Sequence, residues 1–187
     1  MTLKVAWGIT GCGDRLSESV ETMKKLREEY SLEVDVILSS AGEMVVTWYN
    51  FWDSIKQEFD EVFIESTPNT PFLVAPLQMG RYDLLLVCPA TANTTAKVAY
   101  GIADSLLTNC VAQAMKADLP VFIFPTDQEI GKTQTVLPNK DKITLNIREI
   151  DVQNVEKLKR VSGIEVLSDP KDVEPIVSKF SQSKGQI

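Results

Sequence analysis

The sequence predicts a three-layer α/β fold, a doubly wound and mostly parallel sheet with helices on both faces. Short apolar runs alternate with longer stretches in which apolar residues recur every three or four positions. The run Leu84-Leu85-Leu86-Val87 is apolar without interruption, as a strand covered on both faces must be. Glycines and small hydroxyl residues follow the strands at their carboxyl ends, the edge at which open α/β sheets bind ligands.

The first strand runs from Leu3 to Ile9 and enters the turn Thr10-Gly11-Cys12-Gly13-Asp14. A helix follows from about Leu16 to Tyr30, where Leu16, Val20, Met23, Leu26 and Tyr30 form one apolar stripe. Glu33 to Leu38 is the second strand, and Ser39-Ser40-Ala41-Gly42 leads to a helix starting near Glu43. This βαβ unit is expected to be parallel and right-handed. Val62 to Ile64 is a short third strand, and Ser66 to Pro71 is a loop because its two prolines break regular structure. Leu84 to Val87 is the fourth strand, with helix from about Asn93 and a longer helical segment from Ile102 to Lys116.

Pro120 to Phe124 is the fifth strand, and residues 126–142 are polar and read as a loop or flap. Lys142 to Ile147 alternates and reads as a sixth strand, and a helix runs from Asp151 to about Val161. Asp169 is placed to cap a last helix, Lys171 to Phe180, with Pro170 at its first position. The polar tail, residues 181–187, is expected to fray. The strand order implied is of the Rossmann or flavodoxin type, in a single domain spanning residues 1–187.

Composition narrows the function. A formal charge of -7 argues against a general nucleic-acid or membrane-surface role, which needs clustered cations. The start of the chain reads as a strand entering a turn rather than a signal peptide, and no run approaches the ~18 apolar residues of a membrane span. A cytoplasmic protein is expected. Cys12, Cys88 and Cys110 are far apart and form no Cys-x-x-Cys pair, so neither a zinc ribbon nor a cluster motif is present. The chain has 0 histidines, which removes histidine-based hydrolysis and the commonest transition-metal ligand. No metal-binding or catalytic residue is assigned, and redox chemistry would require an organic cofactor.

The segment Cys88-Pro89-Ala90-Thr91-Ala92-Asn93-Thr94 ends the buried fourth strand and opens a helix. Thr91, Asn93 and Thr94 offer short donors and acceptors, and Ala90 and Ala92 let a flat ring approach the backbone. In the first turn, Gly11, Cys12 and Gly13 after Thr10 form either a tight turn or an anion site built from free amides and a helix dipole. Ser39 and Ser40 are either a helix cap or a hydroxyl pair facing the same crevice. Gly131-Lys132-Thr133 mimics the end of a Walker A loop, but the motif's first glycine is Thr126, and Asp127 and Glu129 would repel phosphates. Thr126 and Asp127 instead line the crevice after the fifth strand. Trp48, Tyr49, Phe51 and Trp52 read as core or subunit interface, ahead of stacking on a ligand.

Pro89 to Thr94 resembles the Pro-Ala-Ser-Ala-Asn-Thr signature of the flavoproteins related to phosphopantothenoylcysteine decarboxylase, with Thr91 in place of serine. The resemblance implies bound FMN, held by Thr10 to Gly13, Ser39, Ser40 and Ala90 to Thr94, in a homo-oligomer with flavin near subunit boundaries. It also shows departures from the decarboxylases. Ala75 stands where their histidine is expected, Pro125-Thr126-Asp127-Gln128 replaces Pro-x-Met-Asn, and no reactive cysteine follows on a later flap. Oxidative decarboxylation is therefore not expected. Val5-Ala6-Trp7-Gly8-Ile9-Thr10-Gly11 is most similar to the archaeoflavoproteins. That likeness implies an electron-transfer flavoprotein or oxidoreductase taking electrons from ferredoxin and passing them to an acceptor protein. A related class reduces dihydromethanopterin on the same scaffold, which keeps a small-molecule pterin open as acceptor. Lyase and prenyltransferase activities rank below both.

Overall fold

The computed structural model describes residues 2–185. Six strands form one parallel sheet in the order β3-β2-β1-β4-β5-β8: β1 is Lys4–Ile9, β2 Glu33–Leu38, β3 Glu61–Ile64, β4 Leu84–Ala90, β5 Val121–Pro125 and β8 Ile164–Val166. The order reverses direction between β1 and β4, which opens a crevice at their carboxyl ends.

The period of two along the strands divides the core between two faces. Val5, Trp7 and Ile9 of β1, with Leu84, Leu86 and Cys88 of β4, pack against α1 (Leu16–Tyr30), α2 (Ser40–Trp48), α3 (Trp52–Glu58) and α8 (Val173–Gly185). Ala6, Leu85 and Val87 face α4 (Val74–Gln78), α5 (Ala92–Ala99), α6 (Leu106–Lys116) and α7 (Glu149–Leu158). The doubly wound three-layer fold expected from the apolar runs is the one observed.

Several elements differ from the sequence reading. Residues 131–136 form a strand, β6 (Gly131–Val136), which pairs antiparallel with β7 (Lys142–Ile147) as a separate two-stranded ribbon. The polar run hid a strand because only Thr135 of β6 is buried, so no apolar alternation marks it. The sixth strand of the main sheet is β8, not Lys142–Ile147. The helix expected from Ile102 begins at Leu106, where Ser105 and Thr108 form a reciprocal capping box. The helix expected over Asp151–Val161 is α7, Glu149–Leu158.

At the carboxyl end, the Asp169 side chain accepts from the Lys171 amide as its spacing predicted, but residues 170–172 form a 3-10 turn before α8. The expected fraying of 181–187 does not hold for 181–185. They continue α8, and Lys184 Nζ reaches the Thr2 carbonyl at 3.0 Å and Asp83 at 2.5 Å. Residues 186 and 187 lie outside the described part. Among the described residues, no helix is long and apolar enough to cross a membrane.

Candidate functional site

The turn after β1 is tied to its neighbours at the switch point. Thr10 Oγ1 donates to the Pro89 carbonyl at 2.9 Å and accepts from the Thr91 amide at 2.8 Å, joining the ends of β1 and β4. The Thr126 amide donates to the Ala90 carbonyl at 3.2 Å, and Cys12 Sγ lies 3.4 Å from Thr126 Oγ1, adding the end of β5. Thr10 to Gly13, Ala90 to Thr94, Thr126 and Asp127 thus converge from three adjacent strands. Within this group Thr10 and Ala90 are buried and act as ties, while Thr91 and Ala92 are half-buried and Asn93 is exposed.

Ser39 Oγ accepts from the Gly42 amide at 2.9 Å, the helix-cap reading of the pair. Ser40 is the expected residue that turns elsewhere: its amide and hydroxyl face Glu65, at 3.0 Å from the amide to Oε2. Glu65 also accepts from the Leu106 amide at 2.7 Å. One carboxylate therefore serves the first turns of both α2 and α6, so a second anion there would meet its charge.

Unspent amides lie on the other turns. Thr91 caps α5 by accepting from the Thr94 amide at 3.2 Å, and the first-turn amides of Ala92 and Asn93 have no acceptor among the described residues. Those of Gly11 and Gly13 are likewise free, whereas Cys12 donates to the Thr10 carbonyl at 2.8 Å. This donor set fits a phosphorylated cofactor.

A cleft of about 290 Å³ opens beside the turn, lined by Gly11 to Asp14, Trp48, Tyr49, Thr126, Asp127, Thr135 and Leu145. The β6–β7 ribbon forms one wall and is pinned to α2 by Tyr49, whose hydroxyl donates to the Val136 carbonyl at 3.0 Å. Trp48 and Tyr49 meet edge to face with centroids 5.6 Å apart. The sequence placed these aromatics in the core or an interface. Their place on the cleft comes from the ribbon, which carried no sequence signal. A larger cavity of about 570 Å³, lined by Asp118, Pro120, Gly163 and Glu165 among others, lies at the amino end of β5 and contains none of these groups.

Close backbone approach shapes the cleft. A Cβ on Gly42 would lie 2.3 Å from the Ile9 carbonyl oxygen, and one on Gly13 would lie 2.4 Å from the Tyr49 hydroxyl. Gly42→Ala is expected to push α2 off the β1 turn and to cost about 1–3 kcal/mol. A urea midpoint equal to that of the parent protein would refute this.

The cleft is acidic and its thiol is unreactive. Burial pushes Cys12 up to about 11, so it is a neutral thiol near neutral pH and not a nucleophile. Burial also raises Asp14 and Asp127, and for Asp127 the negative charges of Asp151 and Asp14 add to it while Arg148 opposes. Arg15 is held by Asp169 and Glu18.

The family model described as Flavoprotein matches residues 1–186. The chain belongs to the flavoprotein family. It is 56% identical over 184 residues to an uncharacterized protein of Methanocaldococcus jannaschii, covering 98% of this chain and 99% of that one. A dihydromethanopterin reductase (acceptor) of the same organism is 38% identical over 178 residues, which cover 89% of this chain and 72% of the reductase. Among solved structures, Burkholderia xenovorans DmrB in complex with FMN, described as a cubic protein cage for redox transfer, superposes with a TM-score of 0.83 at 30% identity. The match covers 98% of this chain and 97% of that one.

Proposed function

We propose that this flavoprotein is an FMN-dependent reductase whose acceptor is a flat heterocycle of the dihydropterin class. The observation that carries the reading is the pairing of free amides at the β1 and β4 turns with an aromatic-walled cleft beside them. The amides of Ala92 and Asn93 would hold the phosphate, and Gly11 to Gly13 would let the cofactor lie against the backbone. Thr126, Trp48 and Tyr49 would flank the ring. FMN supplies one- or two-electron transfer, and the protein orients it and excludes competing reactions. The relative named dihydromethanopterin reductase and the FMN-bound DmrB support both halves of the reading.

Electron transfer from ferredoxin to a protein acceptor is the second reading. It draws on the likeness of the β1 segment to archaeoflavoproteins. A homo-oligomer fits either, because Met44, Trp48, Val136 and Leu145 leave apolar surface exposed.

The test is an anaerobic titration of the purified protein followed in the flavin absorbance bands. The reductase reading expects bound FMN that, once reduced, is reoxidised stoichiometrically by dihydromethanopterin. Reoxidation only by a protein acceptor after reduction by ferredoxin would favour the second reading. Failure to bind added FMN would sink both.

A further inference from the structure

Asp127, with its cleft neighbour Asp14, differs from the other sequestered carboxylates among the described residues. Asp35 accepts from Arg81 and Tyr82, Asp151 takes a two-pronged bond from Arg148, Asp169 accepts from Arg15, and Glu65 from two helix amides. The Asp127 side chain accepts no hydrogen bond from any described residue, although it is half-buried and lines the cleft beside Trp48, Tyr49 and Leu145. A carboxyl group there would repel a phosphate, so of the free amides those of Ala92 and Asn93 at the α5 amino terminus, which do not line this cleft, suit a phosphate better than those of Gly11 and Gly13. With the phosphate held there, Asp127 would face the ring and substrate.

The groups facing Asp127 favour its protonated form. Asp14 approaches from the β1 turn and Asp151 from α7, while Arg148 is already engaged by Asp151. Cys12, in the same turn as Asp14, is a neutral thiol. Burial and the two like charges raise the affinity of Asp127 for its proton.

We propose that Asp127 is the acid that delivers the proton to nitrogen when a ring C=N bond of the acceptor is reduced. The proposal rests on the reductase reading. In the step, the C=N carbon receives a hydride equivalent from reduced FMN, which is thereby oxidised. A C–H bond forms, the C=N π bond breaks, and its electron pair takes the Asp127 proton as an N–H bond. The Asp127 carboxylate then regains a proton from water. General acid catalysis of this kind contributes roughly 10²- to 10⁴-fold in rate.

Asp127→Asn is expected to keep FMN affinity, measured by fluorescence quenching, and the flavin midpoint potential close to those of the parent. Reoxidation of its reduced flavin by dihydromethanopterin should slow by roughly 10²- to 10⁴-fold. In the parent, this rate should fall as pH rises through the Asp127 titration. Asp14→Asn removes a like charge, so Asp127 loses its proton more easily and the falling limb moves to lower pH. Carboxyl ¹³C NMR of the flavin-free protein reads the same displacement without turnover, and Asp127→Glu should restore a falling limb. A reoxidation rate in Asp127→Asn within a few-fold of the parent, or an Asp127 titration unmoved by Asp14→Asn, would overturn the proposal while leaving the reductase reading intact. A parent protein that binds no FMN overturns both.

Discussion

The double variant Arg81→Met with Tyr82→Phe is expected to lose about 3–5 kcal/mol of stability. Asp35 sits in the middle of β2 with 2% of its surface exposed, on the face of the sheet that carries Ile37. Its Oδ2 accepts from Arg81 Nη2 at 2.8 Å and from the Tyr82 hydroxyl at 2.7 Å, and its Oδ1 is buried without a partner among the described residues. Removing both donors leaves a carboxylate in a nonpolar layer with nothing to replace its lost hydration. Arg81 is partly exposed, so the single Arg81 change should cost less than the pair together. The control is the triple variant that adds Asp35→Val, which removes the stranded charge and restores a β-branched residue on the strand. Urea unfolding of all three decides the matter. A triple variant less stable than the double would show that the carboxylate is not what the Arg81 and Tyr82 donors are satisfying.

Most of the sheet was legible because each strand is short, apolar and followed by a turn or cap. Leu84 to Val87 could be read as central from its unbroken apolar run, and its neighbours on both sides bear that out. The β6–β7 ribbon was not legible, since it buries almost nothing and its polar threonines look like loop. β8 was missed as the sixth strand because Ile164 to Val166 is only 3 residues long and sits at the sheet edge.

The crevice itself could be located from the residues after β1, β4 and β5, because topology brings those ends together whatever the side chains. The fate of Ser40 could not be read, for it depends on Glu65, the residue just after β3, whose carboxylate reaches the α2 amino terminus. The aromatic wall was equally hidden. Trp48 and Tyr49 face the cleft only because a ribbon returns to Tyr49 through Val136, 87 residues onward.

The protein should lose stability steeply between pH 9 and pH 11, and its three cysteines account for much of the slope. Burial pushes Cys12 from 9.0 to about 11, and Cys88 and Cys110 to about 12. Each thiol holds its proton more tightly in the folded state than in the unfolded chain. Below pH 9 both states are protonated and the stability is fully present. As pH rises further, only the unfolded chain releases the protons, and stability falls by about 1 kcal/mol per pH unit for each thiol until the folded thiol also ionises.

At pH 10 the combined loss is on the order of 3–4 kcal/mol, a large fraction of typical domain stability. It corresponds to a melting temperature lower by roughly 10 °C. The upward shift of Cys110 comes from burial and then from the Glu65 charge, opposed by a hydrogen bond to its own backbone. Cys110→Ala should therefore flatten the alkaline slope by about a third, apart from a cavity cost at neutral pH. Melting curves of parent and variant from pH 8 to 10.5 separate the two effects, since the cavity shifts both limbs equally and the thiol shifts only the alkaline one. Parallel curves across that range would mean that the buried thiols do not govern alkaline unfolding. The same proton affinity bears on function, because it keeps Cys12 a neutral thiol beside Asp14 and Asp127, whose own hold on a proton burial strengthens.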